Sequence, residues 1–291
     1  MARPGYVRQP GAAIAARVSA APAQGTALTL DLPAGLPLLE AVRRALARTG
    51  HDSGVVDLRD LALGPFGYVM PALAENGRHA AFYSPVFRPA GMTRLAAGAM
   101  TFGLRDQSPF FHAHALWREQ DGKQGGGHLL PEETLLAEPA QVEALALTGA
   151  TFTWRLDPEI NFTVPGPAAA SAPGHDRTAH ALRVHPNVDL HRAIEDYCVR
   201  HAIAHARIRG GVGSTIGALF DDGREVTNFA TEVFIERGSI APGTNGLPVA
   251  TIDVGLIDFS GRVERGRLQR GANPVLMTFE LALEVTGVST R

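Results

Sequence analysis

The sequence predicts an α+β protein: two tandem copies of a mostly antiparallel β-sheet domain, each with one main helix packed on it. Two eleven-residue segments, Leu38–Arg48 and Leu190–Arg200, carry apolar residues at helical spacing. Each is followed by alternating, β-branched residues, Val55–Leu61 and Ala206–Ile216, that read as strands. Further along, Leu95–Met100 corresponds to Ile235–Ile240, with Gly98 and Gly238 140 residues apart, and Asp121-Gly122 corresponds to Ser260-Gly261 at a separation of 139. Two anchors that agree within one residue make duplication the economical explanation. Short hairpin turns in place of βαβ alternation argue against a parallel sheet.

In chain order, residues 1–24 are expected to form an N-terminal tail. It is basic and alanine-rich, and its apolar run stops at Arg17, too short for a signal-peptide core. Residues 25–165 make the first domain. The stretch PGPAAASAPG, from Pro165 to Gly174, neither alternates nor carries a helical face, so residues 166–178 read as a linker and 179–291 as the second domain. His175, His180, His185 and His191, in and after that linker, are expected to be solvated. Cys198, His201 and His205 stand at helical spacing, but the helix should end near Ala202, which argues against a second metal site there.

A chain of 291 residues that is 45% hydrophobic and 19% charged can bury one large core or two ordinary ones. The formal charge of −2 supplies no global positive field, which disfavours nucleic acid and anionic lipid as general partners. Lys123 is the only lysine, so the basic residues are otherwise arginines, whose planar forks suit carboxylates and phosphates. The single cysteine, Cys198, excludes an intrachain disulfide and a thiolate cage, and points to a reducing, cytoplasmic compartment. No run of ~18 apolar residues predicts a membrane span.

The chemically sharpest stretch is Phe111-His112-Ala113-His114-Ala115-Leu116-Trp117, followed by Asp121-Gly122 and Gly125-Gly126-Gly127-His128. On a strand, His112 and His114 share a face. Asp-Gly is a hairpin signal, and folding back about it carries His128 beside them. Simple pairing sets His128 opposite Ala115, on the wrong face, so a one-residue bulge in the glycine run is expected. Three imidazoles from two strands can hold a divalent metal and leave a position open. Zinc is the default for neutral nitrogen ligands, with manganese, iron, cobalt and nickel compatible. In the second copy Thr251, Asp253 and Arg267 occupy the corresponding positions. An Arg267–Asp253 salt bridge is expected in place of a metal, giving one site per chain.

The run HAHALWREQDGKQGGGHLL resembles the signature of the PPC domain family, also called DUF296, and the resemblance covers roughly Gly25 to Pro165. Glu138 and the segment from Phe152 to Glu159 are similar to the family's closing segment. The second half resembles the family more weakly, through VFIERGSI and IDVGLIDFSGRVERGRL, and departs at all three histidine positions. The resemblance implies an α+β fold, a metal site at His112, His114 and His128, and threefold packing, so a homo-oligomer is expected, as a trimer or else a dimer. Plant members carry an AT-hook. The nearest segment here, Arg265-Gly-Arg-Leu268, lacks its proline and falls inside a predicted hairpin. The fold is also similar to that of acetolactate decarboxylase, a duplicated enzyme with a three-histidine zinc site.

Other candidates surround that site. Glu138 could accept a proton from a metal-bound water. Tyr83 and Arg88, in a loop bounded by glycine and proline, could cover the site, with Arg88 steering an anionic substrate. The expected function is a metal-dependent enzyme acting on a small oxygenated, carboxylate-bearing metabolite by hydrolysis, decarboxylation or isomerisation. The alternative is a DNA-associated or regulatory oligomeric PPC-domain protein whose metal site is structural.

Overall fold

The computed structural model describes residues 3–74, 77–119, 122–170 and 177–286. In chain order its elements are β1 (Val18–Leu32), α1 (Leu38–Arg48), β2 (Gly54–Asp57), β3 (Ala62–Leu63), β4 (Tyr68–Val69), β5 (Pro71–Leu73) and β6 (Ala81–Tyr83). Then come β7 (Thr93–Arg105), β8 (Ser108–Arg118), β9 (Gln124–Leu129), β10 (Ala140–Thr148), β11 (Ala150–Asp157) and β12 (Phe162–Ala169). The second half holds β13 (Ala179–Val184), α2 (Leu190–Arg200), β14 (Ala206–Leu219), β15 (Glu225–Pro242), β16 (Pro248–Asp258), β17 (Val263–Arg267) and β18 (Val275–Val285). The protein is α+β with predominantly antiparallel strands, and its two α-helices have the bounds that the apolar spacing predicts.

Both helices bury one stripe. In α1 the buried residues Leu38, Ala41, Val42, Ala45 and Leu46 repeat every three or four positions. Helix α2 is capped by Asp189, whose side chain accepts from the Arg192 amide at 2.9 Å.

Strand order shows the same plan twice. The first half runs β1-β10-β2-β7-β8-β9 and the second β13-β18-β14-β15-β16-β17. The long central strands β7 and β15 carry register shifts at Leu95/Ala97 and Ile235/Arg237, 140 residues apart, like the glycines read from the sequence. The halves join edge to edge where Val18–Ala23 of β1 pairs with β13, while Gln24–Leu32 pairs with β10. Residues 18–24, expected in the tail, therefore belong to the sheet. Residues 3–17 touch both halves: Gln9 Nε2 donates to the Leu276 carbonyl of the second, and Arg17 pairs with Glu159 of the first at 2.8 Å.

The expected linker begins as strand. Phe162–Ala169 forms β12, paired only with β11, so Pro165 and Pro167 lie on an edge where a missing N–H costs no ladder bond on the open side. His175 lies outside the described residues. His180, His185 and His191 correct the expectation of solvated side chains: all three are buried. His180 sits on β13, between β1 and β18 at the sheet junction, and His185 directly follows that strand; His180 Nδ1 meets the Tyr197 hydroxyl at 2.9 Å and His185 Nε2 meets Ser19 Oγ at 2.8 Å.

Alternation along each strand decides which side chains meet across the halves. On β8, Phe111, Ala113, Ala115 and Trp117 join the core under α1, which turns His112, His114 and Leu116 the other way. On β15, Val233 and Ile235 join the core under α2, which turns Glu232 and Phe234 toward the first half. Ala97, Ala99 and Leu116 then pack against Val212, Phe234 and Ile257, so the two sheets bury these faces against each other. Among the described residues no helix is long and apolar enough to cross a membrane.

Candidate metal centre

His112 and His114 lie on β8 and His128 on β9. His114 pairs directly with His128, so all three rings share one face, as the motif requires. The register is set at the turn, where the Glu119 amide donates to the Lys123 carbonyl at 2.8 Å, and not by a bulge in the glycine run. Asp121 lies outside the described residues. Gly127, at φ 150°, stands where an added Cβ would come 2.4 Å from the Val69 carbonyl oxygen, so only glycine lets β9 pass this close to β4. The ring centroids of the three histidines are 4.6, 5.0 and 5.4 Å apart.

The fourth donor comes from the second half. One ligand atom from each of His112, His114, His128 and Glu232 lies within 4.8 Å of all the others. Sequence reasoning assigned the second half no share in the site, and this is corrected: Glu232 on β15 and Glu280 on β18 both enter it. Glu280 Oε2 meets His112 Nδ1 at 2.8 Å and its Oε1 accepts from the Thr278 hydroxyl at 2.7 Å. Arg183 Nε donates to that hydroxyl at 2.9 Å and its Nη2 to Asp157 at 2.6 Å, so a buried polar chain runs from the sheet junction to the histidines. His114 Nδ1 meets the Val233 carbonyl at 3.0 Å. With both Nδ1 atoms occupied, the Nε2 atoms of His112 and His114 turn to the centre, 3.1 Å apart.

Electrostatics fits a cation. Burial, reinforced by His114, pushes His112 down to about 3, and burial with His112 and His114 holds His128 well below the usual imidazole range. Both are therefore neutral donors. Burial opposes charge on His114 too, but Glu232, 2.5 Å from its Nε2, outweighs it and raises the ring's pKa. Burial lifts Glu280 to about 7 against the Thr278 hydroxyl and Arg183. His128 Nδ1 is buried with no hydrogen-bond partner, a lone ring nitrogen in a cluster already crowded with donors. Two imidazoles held neutral, one of them with an orphaned buried nitrogen, a third imidazole beside a carboxylate, and that carboxylate fit a divalent metal ion, which would take the place of a proton on His114.

The histidines form the floor of a cavity of about 460 Å³ walled by the short strands and β12. Tyr83 lines it, with its ring 5.2 Å from that of His128. Although the residue is 37% exposed, burial holds its hydroxyl above the usual phenol range, and Glu232 and Glu280 add to the effect. Arg88 and Glu138 are not cavity residues. Arg88 makes a bidentate pair with Glu133 at 2.8 and 2.9 Å, and Glu138 pairs with Arg94, all on exposed side chains. Their loops turn them outward, where each finds an opposite charge. In the second half Asp253 pairs directly with Arg267, as His114 does with His128, and Arg267 Nε meets Asp253 Oδ1 at 2.9 Å, the salt bridge expected from the sequence. His201 stacks on Tyr197 at 4.2 Å, and Cys198 is buried.

No protein-family model and no curated protein matches the chain. Among solved structures, a metal-containing protein from Archaeoglobus fulgidus is 19% identical, with a TM-score of 0.37, over 48% of this chain and 92% of its own. A plant- and prokaryote-conserved (PPC) protein from Pyrococcus horikoshii is 18% identical, with a TM-score of 0.36, over 52% of this chain and 97% of its own. A candidate DNA-binding protein from Ralstonia eutropha is 18% identical, with a TM-score of 0.33, over 47% of this chain and 89% of its own. Each spans about half of this chain, and the neighbours include the family that the histidine motif resembles.

Proposed function

We propose that the protein is a PPC-like metal-binding protein in which one divalent ion per chain fastens the two halves together, serving a regulatory role. The observation that carries this reading is the fourth donor: His112, His114 and His128 belong to first-half strands and Glu232 to the second half. An ion held by all four would draw two facing sheets together, which is structural work that needs no turnover. Zinc is the first ion to test. Association with DNA belongs to the same proposal, as the name of one neighbour carries it. It would need a local arginine surface, because many exposed arginines are paired with carboxylates. Arg265 binds Glu236, for example, at 2.5 and 2.7 Å. An oligomer, trimer or dimer, completes the proposal.

The test is elemental analysis of untagged protein together with thermal unfolding before and after chelation. About one ion per chain, and a lower melting temperature without it, is the expected result; protein without metal that is indifferent to added zinc overturns it. Fluorescence anisotropy with duplex DNA at several salt concentrations tests the DNA part, and affinity that fails to fall with salt removes it.

A second reading, the metal-dependent enzyme, is favoured by one observation: the ion's position opens onto a cavity and not onto packed core. In that reading the ion would polarise a carbonyl or activate water, while His112 and His114 are oriented by Glu280 and the Val233 carbonyl.

A further inference from the structure

The cavity above the histidines is built for an occupant of a definite kind. Its floor is polar, with the four donors grouped at one end. Its walls are aromatic: Tyr83 and Phe162 stand edge to face at 5.7 Å, and Phe110 and Trp154 do the same at 5.3 Å. Arg105 also lines it, its guanidinium 5.1 Å from the Phe110 ring, with no carboxylate partner among the described residues. That contrasts with Arg88, Arg94 and Arg265, each of which is paired. Two lining ring nitrogens, Nδ1 of His79 and Nδ1 of His128, are buried without a partner. At about 460 Å³ the space falls in the range of roughly 300–1,000 Å³ used by small-molecule sites.

Charge sets the sign of the guest. Three imidazole ligands and one carboxylate would leave a bound divalent ion with net positive charge, Arg105 adds another cation, and Glu280 lies behind His112, outside the cavity lining. Shape sets the rest, since flat rings in the cavity walls match a flat or branched apolar body.

We propose that this cavity binds a small carboxylate with an apolar, ring-sized body, the carboxylate directed to the ion and the body held between the Tyr83–Phe162 and Phe110–Trp154 walls. The inference rests on the metal-centre reading and adds the ligand class, so the protein would respond to a metabolite through the ion that joins its halves.

The experiment is calorimetric titration of zinc-loaded, full-length protein with phenylacetate, with acetate and benzyl alcohol as probes lacking the body and the carboxylate, each repeated on chelated protein. Metal content is measured on the same samples, and the Trp154 region is followed by fluorescence. Phenylacetate should bind at least about tenfold more tightly than either control. Binding should weaken severalfold in Arg105→Ala and Phe162→Ala, both at the cavity wall, and should vanish on chelation. If zinc is bound but phenylacetate binds no better than acetate, or binds chelated protein equally, the ligand inference fails while the metal centre stands. If no zinc is bound, the metal-centre reading fails and takes this inference with it.

Discussion

The two halves share a strand order but differ in what lies over the equivalent strand pair. In the first half His114 and His128 sit face to face under Tyr83 and Phe162, beside Glu232 and Glu280 from the other half. In the second half Asp253 and Arg267 sit face to face on exposed side chains. The difference lies in the insertions. Between β2 and β7 the first half places four short strands, whereas β14 is followed by β15 after a short turn at 220–224. Walls exclude water and turn a pair of strands into a site, and without walls the same geometry supports only a surface ion pair.

Removing a ligand should break the comparison most severely. His112→Ala and His128→Ala should lose the ion altogether at micromolar zinc, with a melting temperature near that of chelated wild type; retention of about one ion per chain would mean that the histidines are not the ligands. Glu232→Gln comes next, with zinc affinity reduced by about 10–100-fold while the fold persists, because the second half then offers a weaker donor. An unchanged affinity would separate the halves functionally. Glu280→Gln keeps a hydrogen-bond acceptor for His112 and should weaken binding by about tenfold, with Glu280→Leu worse; competition with a chromophoric chelator reads both.

Acid should also act away from the metal centre, at the junction of the halves. Burial lowers His180 and His185 to about 4, whereas an unfolded imidazole titrates near 6.5. The unfolded chain therefore binds protons that the folded one refuses, and stability should fall as pH drops from about 6.5 toward 4, by roughly 1–2 kcal/mol per ring. Urea unfolding across that window checks this, and His180→Gln should flatten the slope. The smallest effect belongs to Asp253→Asn, which exposes an already solvated Arg267 and should leave both metal content and melting temperature unchanged. A clear loss of bound zinc would show that the second strand pair communicates with the first.

Much of this was legible in the chain. Spacing alone located α1 and α2, because an amphipathic stripe is a local property, and the histidine motif placed three donors on one face because strand periodicity is local too. The linker histidines misled because a proline- and alanine-rich stretch reads as loop, while β13 pairs on both sides, with β1 and β18, and buries His180 there. Glu232 and Glu280 did leave a signal: each interrupts an apolar strand, as in Thr231-Glu-Val-Phe and Thr278-Phe-Glu-Leu. A carboxylate there is costly unless something distant receives it.

The sequence by itself determined both helices, the repeated plan and the three imidazoles, since periodicity and turn chemistry act over a few residues. Only the tertiary structure decided that the site is shared between the halves, that Glu138 and Arg88 face outward while Arg105 lines the cavity, and that His180, His185 and His191 are buried. Those outcomes depend on which sheet faces meet across more than 100 residues of chain, and alternation along one strand says which residues share a face but not what that face will touch.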